Sequence, residues 1–223
     1  MRKKLVLLFV CMMTTVWCFA QEQSGTCGEN LKWSLIHDWN DFENFGILTI
    51  SGTGEMTNYG YNESPWYGKA IYKVFILEGV TSIGDNAFYG CTAMNKISLP
   101  NSLISIGIGA FCWCSNLKTI FLSRNVKKLS GYAFDYSFLQ SIEVDNVNPF
   151  YSSEDGVLFN KNKNELVSYP QSRAGSYTIP YSVTSTAPHA FSYYSSYDCL
   201  IEFPSSVKNI GENAFFGSYL RTL

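Results

Sequence analysis

Side chains that could do chemistry are sparse in this sequence of 223 residues. Its two histidines, His37 and His189, have no nucleophile motif near them, so no Ser-His or Cys-His pair for covalent catalysis is indicated. Acidic and amide residues gather between positions 145 and 155, but they lack the spacing of a calcium-binding EF-hand loop and are common turn formers. No glycine-rich phosphate loop follows a predicted strand. The sequence therefore predicts no catalytic residue and no cofactor.

Cysteine, the other residue type with strong chemistry, does not form a metal-site pattern. Cys112 and Cys114 lack the second cysteine pair or histidine cluster that would complete the four ligands of a structural zinc ion. The chain beyond residue 20 has an odd number of cysteines, which excludes a fully paired disulfide framework. No metal site is predicted.

The first twenty residues have the composition of an export signal. Three basic residues at positions 2–4 precede an apolar stretch, and Cys18-Phe19-Ala20 places small residues at a cleavage site. The apolar stretch over residues 5–20 is shorter than the roughly 20 residues that a membrane-spanning helix needs. We therefore expect cleavage after Ala20, an exported chain and no membrane span in the mature protein.

Composition and charge narrow the classes of partner. Apolar residues make up 46% of the chain and charged residues 15%, which is typical of a folded domain rather than of a disordered chain or a coiled coil. Cleavage would remove three basic residues and no acid, so the net charge would fall from −2 to −5. No basic run longer than Lys127-Lys128 remains. Nucleic acid and anionic membrane surfaces are therefore not expected as partners.

An internal repeat organises the remainder of the chain. The motif V-x-x-I-G-x-x-A-F occurs five times with some variation, and its alanines are 23, 23, 57 and 24 residues apart. Short segments such as Ile97-Ser98-Leu99 lie between the motifs, and their alternation of apolar and polar residues predicts strands. A unit of this length cannot bury its own apolar side, so consecutive coils must stack. The alanines are Ala87, Ala110, Ala133, Ala190 and Ala214.

Each repeated residue has an expected place in the coil. A coil should run from a strand through a turn to a second short extended piece, then through a glycine turn to a brief helical turn at the Ala-Phe pair. Gly84, Gly107 and Gly211 are expected where a Cβ atom would obstruct the chain, and the second isoleucine of each motif, Ile210 included, should point inward. The phenylalanines should stack as a buried spine that stabilises the array. The spine residues are Phe88, Phe111, Phe134, Phe191 and Phe215.

The repeat closely resembles the BspA-type leucine-rich repeat of surface proteins from anaerobic bacteria and some mucosal protists. The resemblance rests on the motif I-G-x-x-A-F-x-x-C over residues 83–91, on Leu117-Lys-Thr-Ile120 and on the interrupting stretch over residues 148–170. It implies a repeat solenoid, mainly β with short helical turns, built as a right-handed stack with an N-terminal β-hairpin cap. It also implies a chain that is secreted or held on the outer cell surface of an anaerobic bacterium.

The chain divides into five predicted segments. A signal peptide over 1–20 is followed by an N-terminal β cap over 21–73, leucine-rich repeats over 74–144, an inserted β-hairpin over 145–170 and further repeats over 171–223. Trp66 and Tyr67 are expected to pack the cap onto the first coil rather than to form an exposed ligand platform. The inserted hairpin is expected to project from the stack. The last repeats look uncapped, which predicts either self-association through the C-terminal coil or fraying of the chain back to about residue 204. The same feature suggests a truncated product with little activity as a further hypothesis.

The exposed face of the strands is the first candidate binding surface. In each strand the residue between two inward-facing ones points to solvent, and such a position has no core reason to be aromatic. Phe75 and Phe121 are therefore predicted contact residues, although packing of Phe121 on a neighbouring coil or on the inserted hairpin is an equally good interpretation. The candidate residues of this strand face are Phe75, Lys96, Ser98, Thr119, Phe121, Glu143, Thr178 and Glu202.

A second candidate surface is formed by aromatic residues in equivalent turns. Tyrosine and tryptophan are rigid and amphipathic, which suits both sugar stacking and protein interfaces, while scattered aromatics on a turn surface are also ordinary. The residues of this aromatic turn surface are Trp113, Tyr136, Tyr193, Tyr194 and Tyr197.

Cys91 and Cys114 occupy the same repeat position, four residues after Ala87 and Ala110. Adjacent coils place equivalent Cα atoms about 5 Å apart, which is within the range of a disulfide. The alternative is a pair of buried free thiols that pack as small apolar groups. The implied anaerobic habitat favours the thiols.

The sequence thus predicts a secreted or cell-surface binding module without enzymatic activity, acting in adhesion or protein–protein interaction. A carbohydrate-binding accessory protein is the alternative, suggested by the aromatic turn surface. The ligand, protein or glycan, is not identified by the sequence.

Overall fold

The computed structural model describes residues 22–37, 46–194 and 200–218. The predicted signal peptide over 1–20 and Tyr197 lie outside these ranges. Within them the chain is a β-solenoid of about seven turns, mainly strand, which confirms the predicted fold class. In the described part of the chain the Ala-Phe pairs form hydrogen-bonded turns and no helix. The described residues therefore contain no helix that is long and apolar enough to cross a membrane.

The N-terminal part is an antiparallel unit that continues into the first parallel sheet of the array. Strand β1 pairs with β2 and β2 with β3, and β3 then pairs in parallel with β5, which pairs with β7. The bounds are β1 Gln23–Thr26, β2 Leu31–His37, β3 Gly46–Gly52, β5 Ile71–Ile76 and β7 Lys96–Ser98. The antiparallel strands therefore cover the first coil by extending its sheet.

A second parallel sheet runs beside the first and is formed by the second extended piece of each coil. Its order is β10-β8-β6-β4, with β4 Gly54–Glu55, β6 Val80–Ile83, β8 Ser105–Ile106 and β10 Lys128–Leu129. The first face continues as the parallel pair β9 Thr119–Leu122 and β11 Ser141–Val144, and later as β15 Tyr177–Thr178 with β17 Ile201–Glu202. Each coil thus contributes one strand to each of two sides.

The inserted segment is part of the stack and does not project from it, which corrects the sequence-based expectation. Strands β12 Tyr151–Glu154 and β13 Val157–Asn160 form an antiparallel hairpin, β13 also pairs with β14 Glu165–Ser168, and β14 pairs in parallel with β16 Ser185–Thr186. Successive side chains of a strand point to opposite faces. Leu158 accordingly packs in the N-terminal core cluster, whereas Val157 and Phe159 pack in the C-terminal one. The strand is buried on both faces because it lies between two halves of the core.

The predicted phenylalanine spine forms in two columns. The Phe88 and Phe111 rings stack with centroids 5.5 Å apart and planes 4° apart, and Phe134 follows at 5.9 Å. Phe191 and Phe215 stack at 5.1 Å in the second column. Two residues outside the motif begin these columns: Trp66 stacks on Phe88 at 5.5 Å, and Tyr169 stacks on Phe191 at 5.3 Å. Trp66 is fully buried and its Nε1 donates to the Ala87 carbonyl oxygen at 2.7 Å, which confirms its packing role. Tyr67 is 42% exposed, so the prediction that it packs like Trp66 is wrong.

Close approach between coils explains the repeated glycine. A Cβ atom on Gly84 would overlap the Thr57 carbonyl oxygen of the preceding turn, and one on Gly211 would overlap the Ala187 carbonyl. Backbone hydrogen bonds also join the turns, as when the Phe88 amide donates to the Ala110 carbonyl at 2.8 Å. The turns therefore stack as tightly as the strands do.

Side chains of the last described coil are less buried than their equivalents in the earlier coils. Phe215 stacks on Phe191 but is only half-buried, and Ile210 is 57% exposed. The motif isoleucine, which was expected to point into the column, is thus left uncovered at this coil. Its equivalent Ile106 is buried because β8 has a paired strand on each side, whereas within the described residues no later coil covers Ile210.

Candidate functional site

The strand face is exposed at every predicted position. Phe75 lies opposite Ser98 across β5 and β7, and Phe121 lies opposite Glu143 across β9 and β11. Their inward neighbours Val74 and Ile120 are buried. Phe121 is 51% exposed and Phe75 37% exposed, so neither ring is covered by the inserted hairpin. The strand pairing therefore holds these side chains in registered rows on the outside of the array.

The strand face is divided between three hydrogen-bonded groups of strands. One group carries Phe75, Lys96 and Ser98, and a second carries Thr119, Phe121 and Glu143. Thr178 and Glu202 lie on the separate pair β15 and β17, where the Thr178 hydroxyl donates to the Glu202 carboxylate at 2.7 Å. The inserted strands separate this last pair from the others along the chain. The structure therefore brings the six N-terminal candidates onto two strand groups and places the last two on a third.

The aromatic turn surface shows a regularity that the sequence does not reveal. Trp113, Tyr136 and Tyr193 each lie three residues after the motif alanine, and each has a left-handed backbone with φ of 63°, 57° and 54°. Gly90 and Gly217 occupy the same position in the first and last motif turns, with φ of 69° and 66°. Such a backbone is strained for a bulky aromatic residue and unstrained for glycine. The three middle turns thus carry aromatic rings where glycine is the unstrained choice.

These rings form a column on the outside of the turns. Trp113 and Tyr136 stack with centroids 4.3 Å apart and planes 13° apart, and Tyr136 and Tyr193 follow at 3.6 Å. Phe216 meets Tyr193 edge to face at 5.5 Å. Trp113 is 43% exposed. The column is therefore continuous across the turns before and after the insert.

A groove of about 510 Å³ runs beside this column. Its lining includes Tyr61 and Tyr89, which meet edge to face at 5.1 Å, together with Asn86, Trp113 and Asp135. The Asp135 carboxylate is buried and accepts a hydrogen bond from the Ser192 hydroxyl at 2.6 Å. Burial raises the pKa of this carboxyl above its ordinary value of 3.8, while the Ser192 hydrogen bond and the nearby His189 oppose the shift. The groove combines aromatic walls with a few polar groups, as small-molecule sites do.

Comparison with known proteins identifies the repeat. A family described as BspA type leucine rich repeat region matches residues 62–174 and 168–223, in six copies. The chain belongs to this family. Its BspA-type repeats therefore account for both parallel faces and for the spine.

Solved structures of bacterial leucine-rich-repeat proteins resemble this chain. A leucine-rich repeat protein from Eubacterium ventriosum is 28% identical, with a TM-score of 0.52, over 88% of this chain and 64% of that chain. The pneumococcal vaccine antigen PcpA is 18% identical, with a TM-score of 0.51, over 86% of this chain and 67% of that one. A leucine rich cell surface protein from Faecalibacterium prausnitzii is 20% identical, with a TM-score of 0.37, over 86% and 73%. This chain thus spans less than two thirds of the E. ventriosum protein. No curated protein matched it significantly.

Tyr194 does not belong to the aromatic turn surface, which corrects the prediction. Its side chain is 0% exposed, and its ring meets Tyr169 edge to face at 5.2 Å. The reason is its repeat position, four residues after Ala190, which is the inward position of Cys91 and Cys114 in the earlier BspA-type repeats. The surface therefore consists of Trp113, Tyr136 and Tyr193, with Tyr197 outside the described residues.

Cys91 and Cys114 are free thiols in this structure. The Cys114 thiol donates to the Phe88 carbonyl oxygen at 3.1 Å, and both side chains are buried in the core. Burial raises the pKa of Cys91 to about 12 and that of Cys114 well above its ordinary value. Among the described residues, no three His, Cys, Asp or Glu side chains are grouped to hold a metal ion.

Proposed function

We propose that this chain is a secreted or cell-surface binding module that holds a protein partner on its strand face. The observation that carries the proposal is the exposure of Phe75 and Phe121 in registered rows, each beside a polar residue on the paired strand. Exposed aromatic rings surrounded by polar side chains are typical anchors of protein interfaces. Because paired strands hold these side chains rigidly, little conformational entropy is lost on binding.

Export and surface location belong to the same proposal. The basic start, apolar stretch and small-residue cleavage site over residues 1–20 support export. The resemblance to bacterial leucine-rich-repeat surface proteins supports a position outside the cell. A role in adhesion follows if the partner is a protein of a host or of a neighbouring cell.

A non-catalytic role is also part of this proposal. No nucleophile motif lies near either histidine in the sequence. Ser192, His189 and Asp135 are neighbours, but the Ser192 hydroxyl donates to Asp135 rather than to the histidine, so the arrangement is not that of a hydrolytic triad. The family match supports binding, because leucine-rich repeats are typically interaction modules.

An array of purified extracellular-matrix proteins and polysaccharides tests the function. The wild-type 21–223 chain should bind at least one protein, and the double variant Phe75→Ser and Phe121→Ser should bind it at least tenfold more weakly. Tyr181→Ser, which changes an exposed residue outside the strands, is the matched control and should bind normally. Binding to polysaccharides only, or a protein partner indifferent to the double variant, would show the proposal to be wrong.

We also propose that the protein self-associates through its last described coil. Ile201, Phe203, Val207 and Phe215 line an open apolar recess of about 510 Å³ there, and Ile210 stands at its rim. An exposed apolar surface of this kind favours association.

A further inference from the structure

The aromatic column on the turns has an open end at Trp113. One face of its indole ring stacks on Tyr136 in the following turn. The equivalent residue in the preceding turn is Gly90, whose amide donates to the Cys112 carbonyl at 2.9 Å and which has no side chain. A Cβ atom built on Gly90 would approach the Tyr67 ring and no atom of Trp113 within 4 Å. The column therefore lacks one ring at this step, and Trp113 itself lines the groove.

Because Gly90 has no side chain, the column has a gap beside Trp113 that is one coil wide. Adjacent strands are about 4.8 Å apart, so each coil supplies one ring of a column and the omission of one ring leaves room for a single ring beside Trp113. Tyr89 and Asn86 of the first motif turn line the groove, as do the small residues Gly109 and Cys112 of the next turn. A ligand ring placed here would continue the column.

The polar groups of the groove are hydrogen-bonding groups without positive charge. None of the described residues that line it is lysine or arginine. Asn86 donates through its Nδ2 to the Tyr59 carbonyl at 2.9 Å, which fixes the amide and leaves its side-chain oxygen as an acceptor. The Asp135 carboxylate is a second acceptor in the lining. The groove lining therefore has no positive charge to pair with an anionic ligand such as a phosphate or an acidic peptide, whereas it has acceptors for the hydroxyl groups of a ligand.

We propose that this groove binds a neutral glycan, with one pyranose ring stacked on the open indole face of Trp113 and hydroxyl groups donating to Asn86 and Asp135. A pyranose has an apolar face and a hydroxyl rim, which matches an aromatic wall beside acceptors. The groove volume lies in the range of small-ligand sites. The inference is independent of the protein partner proposed above, because the groove lies on the turns and not on the strand face.

Substitution of Trp113 by glycine tests this site without an expected loss of the fold. Glycine already occupies the Trp113 position in two other turns, with the same left-handed backbone. Trp113→Gly should therefore preserve the fold while it removes the ring. Trp113→Phe keeps a smaller ring and should retain part of the affinity. Tyr181→Ser removes an exposed ring that lies outside the strands and does not line the groove, and it is the matched control.

Isothermal titration with soluble β-1,3-glucan, β-1,4-xylan, α-mannan and starch provides the measurement. The wild-type 21–223 chain should bind at least one of these polysaccharides. Trp113→Gly should bind it at least tenfold more weakly, and Tyr181→Ser should bind it as the wild type does. Circular dichroism should show that each variant is folded, and if Trp113→Gly is not, the intermediate affinity of Trp113→Phe replaces it. Absence of binding to all four polysaccharides, undiminished binding by the Trp113 variants, or an equal loss in Tyr181→Ser would overturn the proposal. Binding of a peptide rather than a glycan in this groove would overturn it as well.

Discussion

The Ser192 hydroxyl donates a buried hydrogen bond to the Asp135 carboxylate at 2.6 Å, although the two residues are 57 positions apart in the sequence. Asp135 lies in the last turn before the inserted strands and Ser192 in the first motif turn after them. The rings of Tyr136 and Tyr193, the next residues along, are also in contact. The insert therefore lengthens the coil between these turns without separating them.

Asp135→Asn should stabilise the protein at neutral pH. Burial raises the pKa of Asp135, so its carboxyl favours the folded state when protonated, below its ordinary value of 3.8, and this contribution is lost as the pH rises through the raised value. Asparagine keeps an oxygen for the Ser192 hydroxyl without the buried charge. We expect a melting temperature higher by about 2–4 °C at pH 7, roughly the effect of 1 kcal/mol in a chain of this size. The two proteins should converge near pH 4. A variant that melts lower at pH 7 would contradict this account.

Phe111→Ala should destabilise the array strongly. Its ring is fully buried and lies between those of Phe88 and Phe134. Truncation of a buried phenylalanine costs about 3–5 kcal/mol in the free energy of unfolding. Glu143→Ala, on the exposed face of β11, should change it by less than about 0.5 kcal/mol. Urea denaturation curves measure both, and coincident midpoints would refute the assignment of inward and outward positions.

The core thiols should be unreactive in the folded protein. Burial raises the pKa of Cys91 to about 12 and that of Cys114 well above its ordinary value, so both thiols are protonated at pH 8 and out of contact with solvent. Iodoacetamide should therefore leave both unmodified under native conditions and alkylate both in guanidinium without reductant. Mass spectrometry of the digested protein reads the result. A peptide linking Cys91 to Cys114 would establish the disulfide instead.

Repetition explains which structural features the sequence revealed. The spine was predictable because the Ala-Phe pair recurs at a fixed distance, and position in the repeat fixes burial. Trp66 and Tyr169 lack that pair, yet each lies 22 residues before a spine phenylalanine, so spacing would have located them. Tyr194 was misplaced because its aromatic type was given more weight than its position, which is that of Cys91 and Cys114.

Backbone conformation explains which features the sequence did not reveal. A left-handed backbone at Trp113, Tyr136 and Tyr193 contradicts the preference of aromatic residues, so residue type gives no signal for it. Only alignment with Gly90 and Gly217 in the neighbouring turns would indicate it. The buried position of the insert was likewise hidden, because residues 157–159 are a short apolar run whose two buried faces give no period-two pattern.

The last prediction concerns the apolar side of the last described coil. Ile210 is well exposed beside a recess lined by Ile201, Phe203 and Phe215, and among the described strands β17 pairs only with β15. A two-fold contact between two such surfaces would bury both and would close, which limits the product to a dimer. The 21–223 chain should therefore scatter light as a dimer at micromolar concentration, and Ile210→Glu should shift it to monomer because a charge would be buried in the contact. Leu77→Glu, a change at an equally apolar exposed position on the first coil, should leave the dimer intact. A wild-type chain that stays monomeric at micromolar concentration would exclude self-association. A dimer that Leu77→Glu disrupts as much as Ile210→Glu does would show that the last described coil does not form the contact.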